Sequence, residues 1–193
     1  MMTVNILNEA GYEQALFGLS LSYKAAIERM PERAAKLAWK QDGHNKFLQF
    51  IYVWMDVTAP RFWWQQADTY QFRHDLFSSM GTKQSESTMH TLMSRRLTQE
   101  DFVEPIEIEI LAMLNSGIEA KNFRWVKRHL PEGFLQRRAW CMNYATLQRL
   151  FIQRGTHRLA DWQWFLQSVL SQVQHPEFLD APANEVIAAM DNS

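Results

Sequence analysis

Gly43-His44, then Phe50-Ile51-Tyr52-Val53-Trp54-Met55-Asp56-Val57, then Ala59-Pro60-Arg61-Phe62-Trp63-Trp64-Gln65-Gln66-Ala67-Asp68-Thr69-Tyr70, then Lys83-Gln84-Ser85-Glu86-Ser87-Thr88-Met89-His90 is the stretch on which the fold turns. In the second block Ile51, Val53, Met55 and Val57 alternate with Phe50, Tyr52, Trp54 and Asp56. That period of two predicts a strand with one aliphatic face and one aromatic, polar face. Thr58 is placed to cap a following helix and Pro60 falls in its first turn. Gln66, Thr69 and Tyr70 then share a helix face, because residues three and four apart are neighbours. From Arg73 to Thr88 the chain carries Ser78, Ser79, Gly81, Thr82, Ser85 and Ser87 among few apolar residues, which predicts a loop.

Outward from this stretch, Val4, Ile6 and Leu7 make an extended start, and Gly11 and Gly18 punctuate a brief helical segment. Pro31 opens a helix whose apolar face is Ala34, Ala35, Leu37 and Ala38 and which Gly43 ends. Helices are expected over about 88–97, 105–115 and 120–128, with Pro131 and Gly133 breaking the pattern before a short strand over about 139–144. Two further helices follow, over about 145–153, ended by Gly155, and about 159–174, ended by Pro176. Neither a repeat nor a linker interrupts the chain, so one domain over 1–193 is expected, with a tail after about 182 free to fray.

Composition sets the bounds. A chain of 193 residues with 47% hydrophobic and 13% aromatic residues fills one substantial core. A net charge of −1 gives no general electrostatic reason to bind nucleic acid or a membrane surface, although a small anion needs only a local cluster of cations. Cys141 stands alone and no Cys/His pair has zinc-site spacing, so a reducing compartment and no metal are expected. The first residues lack the pattern of a signal peptide and no apolar run reaches the roughly 20 residues of a membrane span, which leads to the expectation of a cytoplasmic protein.

The order of a Gly-His turn, an aromatic strand, a helix opened by Ala-Pro and a polar loop resembles the flavin-dependent thymidylate synthases. The family's turn falls on Gly43-His44, its Ala-Pro on Ala59-Pro60 and its nucleotide-binding Gln on Gln66. Its Arg-His-Arg falls on Thr69-Tyr70-Gln71, where none of the three residues is kept, with Arg73-His74 shortly after as a replacement source of charge. Its Asn-Glu-x-Ser-x-Arg-Tyr loop lies on Gln84 to His90 and keeps only the serine, Ser87. A serine-rich turn entering a helix suits an anion, with Lys83 adding a charge, and Ser87 near Glu86 is equally what plain capping looks like. Near the C-terminus the family's Leu-Pro, aromatic strand, Asn and Arg fall on Leu130-Pro131, Trp140, Asn143 and Arg154, while Ala145 and Arg149 replace an Arg and an Asn. Asn143 and Arg154 are eleven residues apart, close to three helical turns, so they would face one side roughly 16 Å apart. Arg154 is also placed as an ordinary helix-terminal cation.

The resemblance implies an α/β protein of the α+β kind, a twisted β-sheet flanked by helices, assembled as a homotetramer with shared sites. It implies one-carbon transfer from methylenetetrahydrofolate to C5 of a pyrimidine nucleotide, dUMP to dTMP, with reduced FAD as hydride source and NADPH as its reductant. In that scheme Arg154 is catalytic; Gln66, Thr69, Lys83, Ser85, Glu86, Ser87 and Arg154 hold the nucleotide; and His44, Tyr70, Gln71 and Asn143 surround the cofactor. The lost Arg-His-Arg leaves two other readings open: a nucleotide hydroxymethylase without the hydride step, and a non-catalytic nucleotide-binding protein on the same scaffold.

Overall fold

A computed structural model describes residues 1–40, 43–70 and 82–180, without the side chain of Lys83. Its four strands are β1 (Thr3–Ala10), β2 (Tyr52–Pro60), β3 (Lys83–Ser87) and β4 (Leu135–Asn143), paired antiparallel in the order β1-β2-β4-β3. The helices are α1 (Tyr12–Tyr23), α2 (Met30–Leu37), α3 (Arg61–Ala67), α4 (Ile108–Glu119), α5 (Phe123–His129), α6 (Tyr144–Arg154) and α7 (Ala160–Leu170). The expected class, a sheet flanked by helices, is the one observed.

The two faces of β2 part as its alternation predicts. Val53, Met55, Val57 and Ala59 are fully buried, while Tyr52, Trp54, Asp56 and Thr58 line the more open face. On the buried side Trp63, Trp64, Trp140 and Trp162 meet Phe165 with ring centroids 4.5–5.9 Å apart. Such packing buries large areas and fixes mutual orientation, since edge-to-face rings tolerate little rotation. Trp164, also on α7, is 43% exposed. A second cluster of Leu92, Leu97, Phe102, Leu114, Ile118, Val126, Leu130 and Phe134 gathers around α4 and α5. Gly11 closes the turn between β1 and α1 at φ 101°, where a Cβ would stand 2.0 Å from the Phe50 carbonyl oxygen, so only glycine fits.

Several boundaries move. Thr58 is inside β2, and the residue before α3 is Pro60, with no side-chain cap; the first α3 amides find the Phe134 and Glu132 carbonyls instead, at 3.1 and 3.2 Å. The region expected as a loop ends in β3, because β4 offers its open edge and backbone pairing does not require apolar side chains. β4 itself begins at Leu135, four residues before the expected strand. The helix expected over 88–97 is a single 3₁₀ turn, Thr88–Thr91, after which Thr98 and Asp101 form a capping box for another short turn. α1 runs through Gly18, and the last long helix stops at Leu170.

The indole nitrogen of Trp63 has no hydrogen-bond partner among the described residues, whereas that of Trp64 donates to the Gln136 carbonyl at 2.8 Å. Replacing each by Phe removes similar volume but strands a buried acceptor only at Trp64. Trp64→Phe is therefore expected to lower unfolding free energy by about 1–2 kcal/mol more than Trp63→Phe in denaturant titrations. Equal losses would contradict that assignment.

Candidate functional site

Arg154 ends α6 and points back to the end of α3. Its Nε donates to the Tyr70 hydroxyl at 2.8 Å and its Nη1 to Gln66 Oε1 at 3.4 Å. Its guanidinium carbon lies 5.4 Å from the Tyr70 ring centroid and 5.0 Å from that of Trp162, within range of cation–π attraction. Trp162 Nε1 donates to the same Gln66 oxygen at 3.0 Å. With both lone pairs of Oε1 occupied, the Gln66 amide cannot flip profitably, and its NH2 end is left outward as a donor. Three residues named from sequence, Gln66, Tyr70 and Arg154, thus meet across more than eighty positions of chain. Burial and the neighbouring Arg154 and Arg158 guanidinium groups hold the His157 imidazole below its ordinary value.

Ser87 stands elsewhere, bordering a cavity of about 500 Å³ with Arg61, Met89, His90, Phe123, Lys127 and Gln136. Arg61 is tied by Nη1 to the Leu130 carbonyl at 2.7 Å and lies 3.5 Å from Glu132. The Lys127 ammonium lies 5.5 Å from the Phe123 ring centroid. Ser87 Oγ accepts from Gln136 Nε2 at 3.1 Å and, more weakly, from the Met89 amide at 3.4 Å. Ser87 caps the short turn after β3, and it also borders the cavity that Arg61 and Lys127 line.

No family model and no curated protein matches this chain. Solved structures do. A flavin-dependent thymidylate synthase ThyX of Helicobacter pylori, complexed with FAD and dUMP, superposes with a TM-score of 0.72 at 14% identity, over 92% of this chain and 97% of that one. Another structure of that enzyme with FAD and dUMP gives a TM-score of 0.67 at 16% identity, over 93% and 98% of the two chains. A UMP/dUMP methylase PolB of Streptomyces cacaoi, bound with 5-Br dUMP, gives 0.62 at 9% identity, over 89% of each chain. The chain has the flavin-dependent thymidylate synthase fold.

On this thymidylate synthase fold the remaining sequence-named residues take other positions. Thr69 bonds back to the Gln66 carbonyl at 2.7 Å on an exposed turn. Ser85 is exposed on β3 beside a groove with Leu7, Tyr52 and Trp54, and exposed Glu86 pairs with His90 at 3.3 Å. Lys83 opens β3, and Gln71, Arg73 and His74 lie outside the described residues. His44 is exposed at the mouth of a separate cavity of about 500 Å³ that Leu19, Tyr23, Phe47 and Phe50 help to line. Asn143 is 1% exposed; its Oδ1 accepts from the Thr146 amide at 2.9 Å, capping α6, and its Nδ2 donates to the Gln49 carbonyl at 3.4 Å.

Sequence reasoning missed Arg61, Lys127, Gln136 and Arg138. The last two could have been found. Gln136 and Arg138 lie on the same inward face of β4 as Trp140 and Met142, and polar residues at inward strand positions are the signal. Starting the strand at Ala139 hid them.

The Asn143 contacts make a prediction about stability. Asn143→Ala should cost about 1–2 kcal/mol through loss of the cap, and Asn143→Ser, which keeps a neutral oxygen acceptor, clearly less. Chemical unfolding of both variants measures this, and equal losses would mean that the Oδ1 cap is not what matters.

Proposed function

We propose that this chain binds a uracil deoxynucleotide monophosphate and presents C5 of the base for one-carbon transfer. The observation that carries the reading is the meeting of Gln66, Tyr70 and Arg154, since Gln66 and Arg154 are the residues on which the family's nucleotide-binding Gln and Arg fall. The fold shared with enzymes crystallised with dUMP or 5-Br dUMP supports it.

The ligand-facing groups are all donors: the free N–H groups of Arg154, the amide NH2 of Gln66, the Ser87 hydroxyl and the Arg61 and Lys127 cations. Such a set suits uracil, whose ring positions 2 and 4 are both carbonyl acceptors, over cytosine, which has an amino group at position 4. Arg154 and Gln66 take the base; Ser87, Arg61 and Lys127 take the phosphate or sugar. As C5 becomes nucleophilic, negative charge of the ring is shared with the conjugated carbonyl oxygen at position 4, and it is drawn off when C5 bonds to the one-carbon donor. A guanidinium already braced by Tyr70 and Gln66 stabilises that charge without reorganising.

Reduced FAD would supply the hydride that completes a methyl group in the form of the reaction that uses methylenetetrahydrofolate and NADPH. The residues assigned to it do not compose a flavin site within one described chain. Both polar ends of Asn143 are used internally, the Tyr70 hydroxyl is held by Arg154, His44 borders a separate cavity, and Gln71 lies outside the described residues. Thr69-Tyr70-Gln71 in place of Arg-His-Arg favours a second ending, in which tetrahydrofolate leaves, C5 loses its proton and water adds to the exocyclic methylene to give a hydroxymethyl group. A homotetramer that joins half-sites of different copies is the arrangement in which FAD would fit. It requires a mass near four times 22.8 kDa in light scattering together with a flavin absorption band in the purified protein.

Arg154→Ala is expected to abolish turnover of dUMP and to weaken its binding in calorimetry, with a loss at least about 2 kcal/mol larger than that of Arg158→Ala. Equal effects of the two substitutions would reject the role given to Arg154.

A further inference from the structure

Arg138 is a permanent cation whose side chain is only 10% exposed. Its guanidinium lies 4.1 Å from the Trp64 ring centroid, donates from Nη1 to Asp68 at 2.7 Å and from Nη2 to Gln136 Oε1 at 3.0 Å, and leaves Nε without a partner among the described residues. Packing gives no reason for such a residue, since an apolar side chain against Trp64 would avoid the desolvation that holds the Arg138 pKa below its ordinary value. Its hydrogen bonds give one.

We propose that Arg138 is a positioning residue that acts through Gln136 to hold the Ser87 hydroxyl as a donor toward the cavity. The proposal rests on the reading of that cavity as the place of the nucleotide's phosphate or sugar. A glutamine amide has two orientations of nearly equal shape, and its neighbours decide between them. Arginine only donates, so Gln136 must turn Oε1 to Arg138 and Nε2 to Ser87, and the 3.1 Å contact to Ser87 Oγ has that polarity. Ser87 Oγ has two lone pairs, which meet Gln136 Nε2 and the Met89 amide. Its own hydrogen is left for a third direction, and Ser87 borders the cavity with Arg61 and Lys127. Without Arg138 the Gln136 amide is free to turn over, Oε1 accepts the Ser87 hydrogen, and the cavity loses a donor. The anchor of Arg138 also lies in the turn Asp68–Tyr70, whose last residue holds Arg154, so one chain of contacts joins the two clusters.

A double-mutant cycle separates this relay from a mere brace between β4 and the turn after α3. In dUMP calorimetry, Ser87→Ala and Arg138→Met are each expected to weaken binding about three- to tenfold, the effect of one hydrogen bond. The double variant should bind no more weakly than Ser87→Ala alone. Gln136→Met, which spares the Arg138–Asp68 pair, should behave in the same way and serves if Arg138→Met fails to fold. Losses that multiply in the double variants would overturn the relay. Nitrogen-15 NMR of the Gln136 side-chain amide gives a reading that needs no nucleotide: slow hydrogen exchange in the wild type, lost in Arg138→Met. If the wild type binds no dUMP while that protection is lost as expected, the relay stands and the nucleotide reading falls. Protection that survives Arg138→Met overturns the relay.

Discussion

The antiparallel pairing of β2 with β4, unbroken from Tyr52 against Asn143 to Pro60 against Leu135, is the constraint on which the rest depends. It sets the C-terminal end of β2, from which α3 departs with Arg61 and Gln66, beside the start of β4, which carries Gln136 and Arg138. It sets the other end of β4 where α6 begins, eleven residues before Arg154. A slip of one residue would reverse every side chain of one strand, expel Met55 or Trp140 from the core and carry Arg138 out to solvent. Register is therefore fixed by the tryptophan cluster, and the tryptophan cluster indirectly fixes the polar groups.

Those polar groups share one sign. At both clusters the acceptors are consumed by the protein itself: Gln66 Oε1 by Arg154 and Trp162, Ser87 Oγ by Gln136 and the Met89 amide, Gln136 Oε1 by Arg138. What remains for a ligand is donation and positive charge. A molecule with net charge near zero can still offer this locally, because two cations at a cavity wall need no excess of cations over the whole surface. The overall charge of −1 gives no general reason to expect a polyanion as partner, and a local pair of cations suffices for a monophosphate.

The fold was largely legible in the sequence because its decisive segments are strongly periodic. β2 could be read from alternation alone, and α6 from its length and from Gly155 just beyond its end. What could not be read was set by tertiary contact. β3 has the composition of a loop and becomes a strand only because β4 presents an unpaired edge. The turn after Ser87 looked like the start of a long helix, but it ends at Thr91, and the buried side chain of Asn115 takes both the amide and the carbonyl of Leu97. In the site, Gln66 and Arg154 were visible as polar residues at marked positions, and their contact with Tyr70 was not, since it closes a gap of more than eighty residues. Asn143 illustrates the reverse case. A side chain singled out for a ligand spends both of its polar ends on the Thr146 amide and the Gln49 carbonyl.

A crystal structure with 5-Br dUMP tests the central claim most directly, because anomalous scattering from bromine marks C5 of the base independently of the surrounding density. The account predicts the bromine beside the Arg154 guanidinium, with the Gln66 amide donating to a ring carbonyl. It places the phosphate against Ser87, Arg61 and Lys127 of the same or a neighbouring copy. A nucleotide bound elsewhere, or one whose base lies away from Arg154 and Gln66, would contradict it.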